Sequence, residues 1–132
     1  MIDSEEEFVR LRDSTDPSEY RRAAHASASI DVWTAVIRNH PRMRPWVAHN
    51  KTVPLEILRL LSEDPDPEVR GSVADKRKLD PALFARLATD PDPSVRLRLA
   101  FNPKIPVTVL ERLADDCDED IRDVALDRLA SR

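Results

Sequence analysis

The segment Asp-Pro-Asp-Pro-Glu-Val-Arg at 64–70 returns as Asp-Pro-Asp-Pro-Ser-Val-Arg at 90–96, and again, altered, as Asp-Cys-Asp-Glu-Asp-Ile-Arg at 116–122. Both offsets are 26 residues. A fixed period of this size marks a repeat architecture, in which one unit is too small to bury its own apolar face and must stack on its neighbours. Such a stack presents a surface more readily than it builds a single catalytic pocket.

The match extends beyond the motif. Val53, Leu79 and Ile105 align, as do Ile57, Leu83 and Val109, then Leu58, Phe84 and Leu110, then Leu61, Leu87 and Leu113. Within a unit these fall at i, i+4, i+5 and i+8, one stripe of an α-helix. Pro54, Pro81 and Pro106 stand at the helix starts, where a missing N–H costs nothing. The spacing predicts helices over 54–63, 80–89 and 106–115. A shorter element follows each acidic turn, opened by Asp66-Pro67 and Asp92-Pro93 as N-cap and first helical residue. In it Val69, Val95 and Ile121 point inward one turn before Val73, Leu99 and Val124, and Ala74, Ala100 and Ala125 close it. Its length fits either a short α-helix or a 3₁₀ turn.

Weaker copies precede these. Arg44 with Ala48 matches Arg70 with Ala74, and Arg21 with Ala24, behind Asp16-Pro17, looks like the same element earlier. Trp33, Val36 and Ile37 take the columns of Ile57, Leu60 and Leu61. Ser4-x-x-Glu7 ahead of Phe8, Val9 and Leu11 is a capping box. The expected organisation is a single all-α repeat domain over 1–132. It has an N-terminal cap at 1–15, about four and a half repeats over 16–118, and a C-terminal capping helix over 119–132 with Ile121, Val124, Ala125 and Leu129 on one face.

The Val-Arg pair, the alanine after it, the proline before the leucine-bearing helix and the Asp-Pro-Asp turn resemble the leucine-rich repeat variant family, a bacterial α-solenoid. The resemblance is good over 39–125 and weak over 16–38. It implies a right-handed superhelix of alternating α and short 3₁₀ helices. A described family member carries an iron–sulfur cluster on a cysteine-rich segment that has no counterpart in this sequence. HEAT-like arrays are related, but their period of ~40–47 residues is longer. An ordinary leucine-rich repeat needs a Leu-x-Leu strand and an asparagine ladder, neither of which the sequence carries.

Composition narrows function. One glycine, Gly71, leaves no Gly-rich phosphate cradle, so the turns are built from Pro and Asp. Aromatics are 5%, so the core is aliphatic. Cys117 is alone, which excludes an internal disulfide or a cysteine-ligated cluster. It aligns with Pro65 and Pro91, as a plain replacement in an acidic turn. Without an early apolar segment or a run of 18 apolar residues, a soluble cytoplasmic chain is expected, with no membrane partner, no cofactor and no small-molecule substrate.

Three constellations remain. Arg44, Arg70, Arg96 and Arg122 form a ladder, with Asp64, Asp90 and Asp116 six residues before the last three. A guanidinium fork suits structural work between neighbouring turns, and that reading is preferred to a binding role. Charge also divides by loop type. The turns 62–68, 88–94 and 114–120 hold eleven Asp/Glu and no Lys/Arg, whereas 48–53, 74–79 and 100–105 hold Lys51, Lys76, Arg77, Lys78 and Lys104 against one Asp75. Solvated turns carry charge in any fold, but stacked turns would gather it into an acidic and a basic edge. Trp33 falls in a core column; Trp46 aligns with Ser72 and Arg98, in a column expected to face outward. An exposed tryptophan is a natural anchor, unless the N-terminal cap covers it or it packs on Pro45 or Arg42.

His25, His40 and His49 fit no metal or acid–base pattern, and carboxylates at helix caps lack the burial that general acid work needs. The expected function is a non-catalytic scaffold binding an unidentified protein, with Trp46, Arg98, Lys51, Lys76, Arg77, Lys78 and Lys104 as the contact candidates. The alternatives are nucleic-acid binding through the basic loops, against which a pI near 5.4 argues, and neutralisation of a toxin or enzyme.

Overall fold

Aspartate and serine start most helices. Ser4 accepts from the Glu7 amide, Asp16 from Ser18, Ser29 from Val32, Asp66 from Glu68, Asp80 from Leu83, Asp92 from Ser94 and Asp118 from Asp120. Each contact satisfies an amide that the helix cannot bond itself. Pro17, Pro67, Pro81 and Pro93 take the first helical position behind these caps. At the first helix the reciprocal bond of the capping box is displaced by one residue: the Glu7 carboxylate accepts from the Asp3 amide, not from that of Ser4.

The computed structural model describes residues 1–132 and is all-α, with ten α-helices, one 3₁₀ turn and no strand. An isolated bridge pairs Ile2 with Ala28. The chain forms two compact units, Met1–Leu61 and Ser62–Arg132.

The first unit holds α1 (Glu5–Asp13), α2 (Pro17–His25), α3 (Ile30–Asn39), the 3₁₀ turn Pro41–Met43, α4 (Arg44–His49) and α5 (Leu55–Leu61). Phe8 and Leu11 from α1, Trp33 and Val36 from α3, Met43, and Val47 from α4 fill its core. Phe8 and Trp33 meet edge to face at 5.3 Å. The Trp33 indole Nε1 is buried without a hydrogen-bond partner.

The second unit holds α6 (Pro67–Ala74), α7 (Pro81–Ala88), α8 (Pro93–Ala100), α9 (Val107–Leu113) and α10 (Glu119–Ala130). Helix α8 packs on α6 and α10 on α8, while α9 packs on α7 and α10. Val69, Val95 and Ile121 are buried at one column of the 26-residue period, and Leu87 and Leu113 at another. Each fully buried aliphatic side chain contributes roughly 1.5–3 kcal/mol, so the periodic columns carry most of the stability.

Several sequence expectations are corrected. The leucine-bearing helices occupy 55–61, 81–88 and 107–113, narrower than expected because their last residues leave the helix in turns. The following elements take the first of the two forms their spacing allowed, as α-helices of eight residues, but are not shorter than their neighbours, and the 3₁₀ form that the family resemblance implied is not found there. The Asp-Pro cap launches two complete turns there, and the Asp75 amide closes α6 by bonding the carbonyls of Gly71 and Val73. The only 3₁₀ turn is Pro41–Met43. In α10 the register is one residue later than read. Ala125, fully buried, holds the place of Leu99, Val124 is half-buried, and Leu126, exposed, stands where Ala74 and Ala100 close their helices. Leu60 is exposed although its partner Val36 is core, and Ala23, not Ala24, is the buried alanine of α2.

A column not anticipated from sequence holds the loops. The Asn102 side-chain amide donates to the carbonyls of Ala74 and Lys76, both at 2.7 Å, and its oxygen accepts from the Lys104 amide. Asn50 does the same in the first unit, donating to Ala23 and Ala26 and accepting from Thr52. One period beyond Asn102, Arg128 donates to the carbonyls of Ala100 and Asn102. Asn102→Ala strands one buried carbonyl, that of Ala74, and one part-buried carbonyl, that of Lys76, and an unmet buried acceptor costs about 1–3 kcal/mol. Chemical denaturation should therefore show a loss of about 2–4 kcal/mol; a loss below about 0.5 kcal/mol would deny the column its role.

Candidate functional site

The two aspartates of each acidic turn have separate tasks. The second is the helix N-cap. The first accepts from the amide of the second, at 2.9 Å in Asp64, Asp90 and Asp116 alike. Ser14 performs this task for Asp16. The proline between them has no N–H to give, whereas Cys117 in the last turn adds a thiol contact to the Asp116 carboxylate.

The arginine of the following helix completes the turn. Arg70 Nη1 donates to the carbonyls of Asp64 and Pro65, while its Nε and Nη2 grip the carboxylate of Asp90 at 2.8 and 3.1 Å. Arg96 repeats this one period on: Nη1 to the Asp90 carbonyl, Nε and Nη2 to Asp116 at 2.9 and 3.2 Å. Each arginine therefore ties its own turn, through the carbonyl six residues back, to the next turn, through the carboxylate 20 residues on. The side chains are largely buried, Arg70 at 14% and Arg96 at 11% exposure. Arg122 donates Nη1 to the Asp116 carbonyl. In the first unit Arg44 donates Nε to the Ile37 carbonyl.

The charges respond as this geometry requires. The Asp90 carboxylate raises the Arg70 pKa against the opposing effect of burial, and Asp116 does the same for Arg96. Burial pushes Asp116 upward, but Arg96 and the Asp118 amide together outweigh it and hold the carboxyl below its ordinary value of 3.8. A lowered carboxylate pKa contributes stability that is complete above the unfolded value and is lost as pH falls through the folded one. The thermal midpoint should therefore drop as pH is taken below about 4, and Asp116→Asn, already destabilised, should drop less steeply; equal slopes would show that Asp116 does not take part. Removing one partner of a buried pair leaves the other uncompensated. Arg96→Ala should accordingly lose roughly 2–4 kcal/mol in urea unfolding, and a variant of unchanged stability would remove the ladder from the structural framework.

The basic loops are brought together within the second unit. Asn102 fastens 100–105 to 74–79, so Arg77, Lys78 and Lys104, all exposed, share this end of the unit. Phe101, on the same loop as Lys104, is the most exposed large apolar side chain of the unit at 60%. Sequence reasoning passed over Phe101; its signal was a large aromatic between Ala100 and Asn102, in the column of Asp75. Lys76 is half-buried there. Lys51, exposed, belongs to the first unit, where its amide bonds the Ala24 carbonyl.

Trp46 and Arg98 are both engaged within the chain. The Arg12 guanidinium lies over the Trp46 ring, 3.4 Å from its centroid, and His49 meets it edge-on. A cation on the indole face is worth about 0.5–1 kcal/mol at an open site, so Trp46 holds α1 to α4 while remaining 38% exposed. Arg98 crosses Gly71 to pair with Asp75 and, at 3.6 Å, with Glu68. A β-carbon at Gly71 would sit 2.5 Å from Arg98 Nη1, so the single glycine is the groove in which this arginine lies.

Cys117 is exposed, with Arg96 Nη2 3.8 Å from its sulfur. No group of three or more His, Cys, Asp or Glu side chains is placed to hold a metal ion, and no helix is long and apolar enough to cross a membrane. Comparison with protein-family models, curated proteins and solved structures returns no significant match.

Proposed function

We propose that this chain is a non-catalytic interaction scaffold that binds an acidic protein partner. In this reading the 26-residue units stack as a right-handed α-solenoid of about four and a half repeats, akin to the leucine-rich repeat variant family. The observation that carries it is the end of the second unit where Asn102 ties together two loops that expose Arg77, Lys78, Lys104 and the aromatic ring of Phe101. An exposed apolar anchor on the same loops as several cations suits a partner with an acidic rim and an apolar recess. Trp46 and Arg98 recede from the contact surface, since Arg12 and Asp75 already occupy them. Lys51 and Lys76 are secondary.

Nucleic acid is the second reading, favoured only by the same cations. Three of them with one aromatic make a small electrostatic footprint. The test takes a partner recovered with the wild-type chain and measures its affinity for Arg77→Glu/Lys78→Glu/Lys104→Glu and for Phe101→Ser at low and moderate salt. Charge reversal should weaken binding tenfold or more at low salt, with the difference narrowing as salt screens it; Phe101→Ser should raise the dissociation rate at both. Full affinity in a folded charge-reversed variant rejects this surface. Strongly salt-dependent binding of duplex DNA by the wild type alone would replace the protein partner with nucleic acid.

A further inference from the structure

The arginine ladder ends in an open fork. Arg70 and Arg96 each use three nitrogens: Nη1 for a turn carbonyl, Nε and Nη2 for an aspartate. Arg122 has the first contact, Nη1 to the Asp116 carbonyl at 2.9 Å, and neither of the others. No carboxylate lies on its Nε–Nη2 edge, although the guanidinium is already held by the same anchor that aims Arg70 and Arg96. The site is thus preorganised for one ligand chemistry, since the cost of fixing the arginine is already met by the Asp116 carbonyl.

The surface around it continues the internal interface. On α8 the residues corresponding to Arg122 and Leu126 are Arg96 and Ala100; Arg96 is nearly covered and Ala100 fully buried where α10 packs. On α10 the same face is uncovered. Leu126, one turn beyond Arg122, is 54% exposed, and Val124, Leu126 and Ala130 line a shallow depression with Asp123 and Asp127. The internal ligands state what fits this fork. Asp90 and Asp116 each lie two residues before a helix N-cap, each with one oxygen accepting the N-cap amide, which fixes the carboxylate plane for two-pronged pairing.

We propose that the α10 end of the second unit is a docking site for a protein segment bearing an aspartate two residues before a helix N-cap, the Asp-x-Asp chemistry of the chain's own turns. Arg122 takes the carboxylate through Nε and Nη2, and the helix that follows it covers Leu126 and Ala130. The chain's own turn at Asp16 carries Ser14 in that place, and Asp64, Asp90 and Asp116 are each engaged within the chain, so a second copy presents no free equivalent in these turns. This site is independent of the basic loops and stands or falls without them.

The test uses full-length ¹⁵N-labelled protein and a capped peptide of the chain's own residues 88–97. The Nε–H resonances of Arg70 and Arg96 serve as internal standards. Adding peptide should sharpen and shift the Arg122 Nε–H signal and move the backbone amides of 122–130, with the two standards unmoved. The peptide with Asn in place of its first Asp should lose at least several-fold in affinity, and Arg122→Lys, which keeps the charge but not the fork, should lose a similar factor while retaining its amide spectrum. Silence at Arg122, equal binding of the Asn peptide, equal binding by Arg122→Lys, or the same response to acetate alone would each overturn the proposal.

Discussion

A carboxylate gripped by the Nε–H and Nη2–H of an arginine's guanidinium, with that arginine's third nitrogen on a carbonyl of the preceding turn, is the contact on which the second unit depends. It joins three functions that a short turn cannot otherwise combine. Asp90 closes its own turn by accepting the Asp92 amide, receives Arg70 from before, and gives its carbonyl to Arg96 behind. Burying such a pair costs desolvation that attraction alone often fails to offset. Here each oxygen and each nitrogen has a partner, which is the condition under which a buried network holds one arrangement against others. Aliphatic columns supply the bulk of the stabilisation, but they are tolerant of sliding. The fork is not, because a shift of one residue would leave a charge and two carbonyls unmet.

The opposite side of the unit solves the same problem with different side chains. Asn102 and Arg128 each bridge two carbonyls of the loop one period earlier, as Asn50 does for Ala23 and Ala26. Chain direction reverses at both sides, and both leave carbonyls facing inward where water is scarce. An amide or guanidinium with two donors is the smallest group that meets them. The exposed cations and Phe101 then project from loops whose backbone is fixed, which is what a contact surface needs if binding is not to be spent on ordering it.

Much of this was legible in the sequence, for a reason that differs by element. The 26-residue period was visible because the Asp-Pro-Asp turn and the Val-Arg pair are polar and specific, and few other residues satisfy their roles. The all-α character followed from the aliphatic spacing. Helix length was misjudged at 67–74 and 93–100, since a Pro-started helix of eight residues and a 3₁₀ turn share the same cap. The slip at Val124 came from reading inward positions by hydrophobicity, whereas Ala125, small enough to pack tightly, is the buried one. Trp46 and Arg98 were read as outward-facing from their column, with the N-terminal cap named as what could cover Trp46; Arg12 of that cap does lie over the ring, which stays 38% exposed, while Asp75, 23 positions from Arg98, lay beyond the reach of periodicity. The asparagine column escaped notice because its members are two periods apart with Lys76 between them.

That column bears on how the chain ages. Asparagine converts to aspartate when the backbone nitrogen of the following residue attacks the side-chain amide, and a carboxylate in place of Asn102 would set negative charge against the carbonyls of Ala74 and Lys76. Asn102 is followed by Pro103, whose nitrogen has no hydrogen to lose. Asn50 is followed by Lys51, whose N–H is engaged with the Ala24 carbonyl. The two buried asparagines, whose loss would turn a bond donor into a repelling charge, thus both have neighbouring nitrogens withheld from that chemistry; exposed Asn39 is followed by His40, whose N–H is likewise engaged, with the Val36 carbonyl.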